Sequence, residues 1–170
     1  MARKGPFRLV EAMSILIADD DERLRHGLRD LLEAHPGWHV VGEAVNGREA
    51  LQKAVQLAPE VVILDISMPE LDGIGAARLI REALPEAELL VFSQHDAPDI
   101  VARALDVGVR GYVLKSQASR DLVPAIEAVY RHASFLSQEI SAVLPSSGPE
   151  ARNEGSAGPC AGPSKSSIGD

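Results

Sequence analysis

Short apolar runs alternate along the chain with segments in which apolar residues recur every three or four positions. Runs of the first kind predict buried strands, and segments of the second kind predict helices that bury one face. The predicted strands are 14–18, 39–44, 60–64, 88–92 and 110–114, and the predicted helices are 22–35, 47–58, 74–84, 99–107 and 119–132.

The predicted strands are continuously apolar rather than alternating, which is typical of a parallel sheet covered by helices on both faces. Right-handed crossovers then give a doubly wound α/β sandwich, a flavodoxin-like (βα)5 fold with a five-stranded parallel sheet. In the first helix, the spacing places Leu24, Leu28, Leu31 and Leu32 on one inward face. Pro124 requires the last helix to begin near Arg120, because proline inside a helix costs about 3 kcal/mol.

The pattern predicts a single domain over residues 13–133, with segments of different composition at both ends. Residues 1–12 predict a disordered leader without the apolar segment of a signal peptide. Residues 134–144 predict either a linker or an extension of the last helix. Pro, Gly and Ser make up 15 of the 26 residues over 145–170. That composition predicts a disordered tail, because it cannot bury enough apolar surface to offset the entropy of ordering.

The chain has 170 residues, of which 45% are hydrophobic and 25% charged, as in ordinary globular proteins. Its net charge of −8 argues against a dedicated nucleic-acid-binding surface. No apolar run reaches the roughly 18–20 residues that span a bilayer. The single cysteine, Cys160, fits a reducing compartment. A cytoplasmic location is therefore predicted.

Polar side chains follow four of the predicted strands, at the point where each strand ends. The carboxyl ends of parallel strands meet at one edge of the sheet, where doubly wound folds place their sites. These residues are Asp19, Asp20 and Asp21 after the first strand, Asp65 after the third, Ser93 after the fourth and Lys115 after the fifth.

Clustered carboxylates repel one another unless a cation lies among them, and a few hard oxygen ligands suit Mg²⁺. A lysine and a hydroxyl opposite the acids favour a phosphoryl group bound near the metal. Asp65 is then predicted to be a nucleophile, with Mg²⁺ and Lys115 neutralising charge on the transferring phosphoryl group. Each residue alone has a simpler interpretation, such as a helix cap for the acids after the first strand. Their joint occurrence favours a site.

The segments ILIADDDERLRHGL, EAVNGREAL, VVILDISMPELDG, VFSQHD and GYVLK together resemble the receiver domain of response regulators in two-component signalling. The resemblance covers about residues 13–132, and RHGLRDLL, VVGEA, MPELDGI and LVPAI are most similar to the LuxR/NarL-type subfamily. The resemblance implies that Asp65 is the phosphoacceptor and that Lys115 pairs with the phosphoryl group. It implies that Asp20, Asp65 and the backbone carbonyl of Ser67 bind Mg²⁺, while Asp19 belongs to the acidic pocket and acts through water. Ser93 and Tyr112 would then be the two switch residues.

The resemblance also implies partners. A sensor histidine kinase would supply the phosphoryl group, and an unknown downstream protein would meet the face formed by about residues 94–112. A homodimer is compatible with the resemblance, and neither a membrane nor direct DNA binding by this chain is expected.

Three departures from the family pattern stand out. Ser116 follows Lys115 where a proline is usual, which disfavours a cis peptide there. Gln94 follows Ser93 where many members carry a small residue, and its longer side chain is predicted to shield the phosphorylated aspartate. The Pro/Gly/Ser-rich segment stands where LuxR/NarL-type proteins continue into a helix-turn-helix domain.

Two alternatives remain open from the residues. A degenerate receiver that acts without phosphorylation is compatible with Ser116, although the intact acid, serine and lysine set argues against it. An aspartyl-nucleophile, Mg²⁺-dependent phosphohydrolase would normally carry a second Asp where Ser67 stands. The histidines show no metal-ligand spacing, and His95 is predicted to be a surface or helix-end residue.

Overall fold

The computed structural model describes residues 12–145, so the predicted leader and tail, with Cys160, lie outside the described residues except at positions 12 and 145. The strands are β1 Met13–Ala18, β2 Trp38–Ala44, β3 Val61–Leu64, β4 Glu88–Ser93, β5 Gly111–Leu114 and β6 Phe135–Leu136. The helices are α1 Glu22–Glu33, α2 Gly47–Leu57, α3 Gly73–Ala83, α4 Pro98–Asp106, α5 Ala118–Tyr130 and α6 Gln138–Val143, with a 3-10 turn at Lys115–Gln117.

All strand pairs are parallel, and the sheet order is β2-β1-β3-β4-β5-β6. The predicted α/β class is confirmed. The first, third, fourth and fifth strands are neighbours in the sheet, which is the arrangement that brings the predicted site residues to one edge. The sheet has six strands rather than five. Within the described residues, no helix is long and apolar enough to cross a membrane.

Two apolar clusters lie on opposite faces of the sheet. One face packs against α1 and α5 through residues such as Leu28 and Leu122, and the other packs against α2, α3 and α4 through Ala50, Ala76 and Val101. The inward position predicted for Leu31 is wrong, because this side chain is 38% exposed on the rim of α1. The four strands β1, β3, β4 and β5 are therefore covered on both faces, as their apolar sequences require. The edge strand β2 instead exposes His39 and Val41.

Residues 134–144 form a strand and a separate helix, rather than an extension of the last helix. The amides of Phe135 and Ser137 donate to the carbonyls of Arg110 and Tyr112 at 3.0 Å each, which adds β6 to the edge of β5. Ile140 of α6 is fully buried in the cluster that contains α4. The backbone turns at His132, which has a positive φ of 61°, so α5 cannot continue.

Pro124 lies inside α5, which begins at Ala118. The predicted start of the helix is thus close to the observed one, but Pro124 lies beyond the first turn. The ring is exposed to solvent, so the helix accommodates it without burying the carbonyl that loses its partner.

Candidate functional site

Asp65 stands at the carboxyl end of the central strand β3. Its amide donates to the Ala18 carbonyl at 2.8 Å, and its Oδ1 accepts from the Ile66 amide at 2.7 Å. Only 5% of the residue is exposed. A Cβ on Gly73 would lie 2.0 Å from the Asp65 carbonyl oxygen, so only glycine lets α3 begin this close to the site.

Asp19, Asp20 and Asp65 form an acidic pocket at this edge of the sheet, with one carboxylate oxygen from each lying within 4.8 Å of the others. Asp19 is buried and Asp20 is exposed. The neighbouring Asp21 has a different role, because its side chain caps α1 by accepting from the amides of Arg23 and Leu24. The predicted acid cluster is thus divided between a pocket and a helix cap.

Lys115 spans two of these acids. Its Nζ lies 2.7 Å from Asp19 Oδ2 and 3.0 Å from Asp65 Oδ2. Burial raises the pKa of the Asp19 carboxyl, and the hydrogen bond from Lys115 offsets this only in part. Burial acts to lower the pKa of Lys115, but its hydrogen bonds to Asp19 and Asp65 outweigh that effect and the pKa is raised. The ammonium is therefore charged at neutral pH.

The donor set of the pocket fits Mg²⁺. It offers hard carboxylate oxygens from three residues and one exposed side, which leaves room for the waters that Mg²⁺ retains. Lys115 neutralises only part of the negative charge of Asp19, Asp20 and Asp65. A divalent cation would relieve the remaining repulsion.

Ser93 ends β4 with its side chain fully buried, and its Oγ accepts from the His95 amide at 3.3 Å. Tyr112 of β5 is also fully buried, and its hydroxyl donates to the His95 carbonyl at 2.7 Å. Burial is the main cause that raises the pKa of Tyr112, so the hydroxyl stays protonated and remains a donor. The loop after β4 is therefore fastened to both predicted switch residues.

His95 is the site-edge residue that sequence reasoning missed. Its Nε2 lies 2.6 Å from the hydroxyl of Ser67, in the loop after β3, so the ring joins two loops that border the pocket. The prediction of a simple surface residue is therefore incomplete. Its position two residues after Ser93 was the only available signal. Gln94 between them is exposed, and its predicted shielding role stays a prediction.

The departure at Ser116 has a structural outcome. No cis peptide occurs within residues 12–145, so the bond before Ser116 is trans, as the serine predicts. Lys115 nevertheless reaches two carboxylates from the 3-10 turn that follows β5. Asp19, Asp20, Asp65 and Lys115 are brought together, while Ser67 enters the site region through its contact with His95.

The sequence profile of the response regulator receiver domain matches residues 15–127. The transcriptional regulatory protein LnrK of Bacillus subtilis is 34% identical over 132 residues, which are 78% of this chain and 60% of that protein. This chain thus spans less than two thirds of the length of that relative.

Solved structures agree with this similarity. A LuxR-family two-component response regulator from Aurantimonas superposes with a TM-score of 0.75 at 34% identity, covering 78% of this chain and 94% of the other. The isolated receiver domain of RcsB from Salmonella enterica was solved with the phosphomimetic BeF₃⁻. It superposes with a TM-score of 0.74 at 30% identity, and the match covers 79% of this chain and 100% of the other.

Proposed function

The chain belongs to the family of response-regulator receiver domains, and from this membership we propose that it accepts a phosphoryl group on Asp65 from a sensor histidine kinase. The observation that carries the proposal is the bridge from Lys115 to Asp19 and Asp65 beside the exposed Asp20. A purely structural ion pair would not need a third carboxylate within 4.8 Å of the other two.

In the proposed transfer, a carboxylate oxygen of Asp65 forms a bond to phosphorus. The bond from phosphorus to the donor's imidazole nitrogen breaks, and the leaving imidazole keeps the electron pair and takes a proton from solvent. Asp65 is held for this attack by its amide contact to Ala18 and by the Ile66 amide on Oδ1. Lys115 would remain beside the new phosphoryl oxygens and compensate their charge.

Asp20 and Asp65, with the Ser67 carbonyl, would hold Mg²⁺, and Asp19 would act through water. When bound, the ion supplies electrostatic stabilisation of the equatorial phosphoryl oxygens. Ser93 would donate its hydroxyl to the phosphoryl group, giving up its present contact with the His95 amide. Since Tyr112 holds the carbonyl of the same His95, a change at Ser93 would be passed to the loop before α4.

The proposed output is a change in protein contacts on the face that includes this loop, α4 and β5. An acidic chain of net charge −8 favours protein partners over DNA, and a homodimer is one such partner. We place the reaction in the cytoplasm, where response regulators ordinarily act.

Intact mass after incubation with Mg²⁺ and acetyl phosphate tests the phosphoacceptor. Wild type is expected to gain one phosphoryl group and Asp65→Ala none. Asp96→Asn is the matched control, because it removes an exposed carboxylate from the loop after β4 and should still gain the group.

A gain on Asp65→Ala would place the phosphoryl group elsewhere. No gain on wild type, in a sample with Mg²⁺ binding established by titration, would favour the phosphorylation-independent module. Release of inorganic phosphate from p-nitrophenyl phosphate at many turnovers would instead support the phosphohydrolase alternative.

A further inference from the structure

Arg25 is a buried cation on α1, at the back of the acidic pocket. The residue is 8% exposed, and its Nη1 donates to the backbone carbonyl of Asp19 at 2.7 Å. Its Nε donates to Oε2 of Glu43 at 3.1 Å. Burying a guanidinium is unfavourable unless such partners compensate it, so both contacts are needed to keep the side chain there.

Glu43 of β2 is itself fixed on several sides. Arg29, one turn further along α1, forms an ion pair in which its Nε lies 2.7 Å from the other carboxylate oxygen of Glu43. The ammonium of Lys53 on α2 contacts the Glu43 backbone carbonyl. Arg25 is therefore held by a rigid acceptor on one side and can fix the Asp19 carbonyl on the other.

The carbonyl that Arg25 holds belongs to the peptide between Asp19 and Asp20. The Asp19 amide donates to the Ala44 carbonyl at 3.1 Å, and the Asp19 carboxylate accepts from the Asp21 amide at 2.9 Å. Because a peptide group is planar, fixing its carbonyl also fixes the direction in which the next residue leaves. That residue is Asp20, the exposed acid of the pocket.

We propose that Arg25 is a positioning residue for the metal-binding pocket, which holds the Asp19–Asp20 peptide so that the Asp20 carboxylate lies beside Asp19 and Asp65. This inference rests on the proposed function, since it assumes that the pocket binds Mg²⁺. Arg25 acts through the backbone of Asp19 and touches neither the metal nor the phosphoryl group.

If Arg25 positions the pocket, its removal should lower the affinity for Mg²⁺, whereas an argument from charge alone predicts that the affinity rises. Removing a cation near three carboxylates should by itself make the pocket more attractive to Mg²⁺. Releasing the Asp19–Asp20 peptide should make binding weaker, because residues that orient metal ligands typically contribute about 10–100-fold to metal affinity.

The experiment titrates Mg²⁺ alone into the full chain and follows the NMR shifts of the Asp20 and Asp21 amides. Arg25→Met is expected to raise the Kd for Mg²⁺ about tenfold relative to wild type. Arg29→Met is the matched control, since it removes a cation from the same Glu43 without touching the Asp19 carbonyl, and it should leave the Kd within twofold. Arg25→Lys keeps the charge but cannot reach both acceptors with one ammonium, so its Kd should also rise.

A second readout separates positioning from general damage. The Mg²⁺ concentration that half-saturates phosphorylation by acetyl phosphate should rise with the Kd in Arg25→Met, while the rate at saturating Mg²⁺ stays within twofold of wild type. If Arg25→Met does not fold, Arg25→Lys decides the question.

An unchanged or lower Kd in the Arg25 variants would overturn the inference and leave Asp65 phosphorylation standing. Equal losses in Arg25→Met and Arg29→Met would overturn it as well, because the effect would then come from Glu43. A wild type that binds no Mg²⁺ would overturn the proposed function together with the inference.

Discussion

Ser67 Oγ and His95 Nε2 lie 2.6 Å apart and connect the loop after β3 to the loop after β4. The backbone carbonyl of the same histidine accepts from the Tyr112 hydroxyl at 2.7 Å. His95 is thus held through its ring by the loop that carries Asp65 and through its backbone by β5. The conformation of the loop before α4 depends on both contacts.

His95→Ala should loosen that loop. The loss of one hydrogen bond of about 1 kcal/mol makes local opening about fivefold more frequent. Hydrogen exchange of the amides of Gln94 to Ala97 should accelerate by that factor, as measured by mass spectrometry of peptides.

His39→Ala is the matched control, because His39 is exposed on β2, away from this loop. It should leave these amides unchanged. Equal exchange in His95→Ala and wild type would mean that the backbone contacts of residue 95 to Ser93 and Tyr112 hold the loop without the imidazole ring.

Asp19→Asn should stabilise the metal-free protein at pH 7. Burial raises the pKa of Asp19 in the folded state, so folding favours the protonated acid. The stability associated with that shift is fully present below the unfolded pKa of 3.8 and is lost as the pH rises through the folded pKa. An amide at this position avoids the cost of burying a charge. A rise of about 1 kcal/mol in the free energy of unfolding is typical when a functional acid is replaced.

Urea unfolding in EDTA at pH 7 and at pH 3 measures the effect. The difference between Asp19→Asn and wild type should shrink at pH 3, where the wild-type acid is protonated in both states. Asp30→Asn, an exposed acid on α1, should differ little from wild type at either pH. A destabilised Asp19→Asn at pH 7 would mean that the ion pair with Lys115 outweighs the burial of the charge.

Ile140→Ala should destabilise the fold by about 2–5 kcal/mol, because this side chain is fully buried between α6 and the core. Val143→Ala, on the same helix but 36% exposed, should change the free energy of unfolding by less than about 1 kcal/mol. Chemical denaturation of both variants is the measurement. Similar small effects in both would show that α6 is not docked in solution.

Pro124→Ala should raise the free energy of unfolding by about 2 kcal/mol. An interior proline costs a helix about 3 kcal/mol, and the greater freedom of alanine in the unfolded chain returns up to about 1 kcal/mol of that gain. Pro98→Ala is the control, since Pro98 begins α4 where proline is tolerated. Thermal unfolding of the two variants should therefore differ clearly in midpoint, and equal midpoints would contradict the expected strain in α5.

The alternation of apolar runs with helical spacing was sufficient to predict five strands and their parallel arrangement. The residues at the strand ends identified the four strands that carry the candidate site, while their order in the sheet came from the structure. The site acids were predictable for the same reason, because Asp19, Asp20 and Asp65 follow strands whose ends the topology brings together. The sequence did not show that Asp21 would leave this group of acids. Its side chain accepts from the first amides of α1 and caps that helix.

Other features have no periodic signal in the sequence. β6 has two residues and α6 has six, too few for either spacing to stand out, and both are held by backbone contacts to β5 and by Ile140. The contacts of Arg25 and His95 depend on loop and side-chain geometry that emerges only when distant segments pack. A polar residue on a helix or in a loop is compatible with many partners until then.

The sheet edge at β5 is occupied by the chain's own next segment. β6 pairs with β5 beside Tyr112, and α6 contacts α4, so the backbone up to Leu144 rests on the same elements that border the proposed switch. A sliding movement of α4 would also shift the apolar surface against which Ile140 packs. If Asp65 is phosphorylated as proposed and α4 moves in response, the direction in which the backbone leaves at Pro145 would change as well.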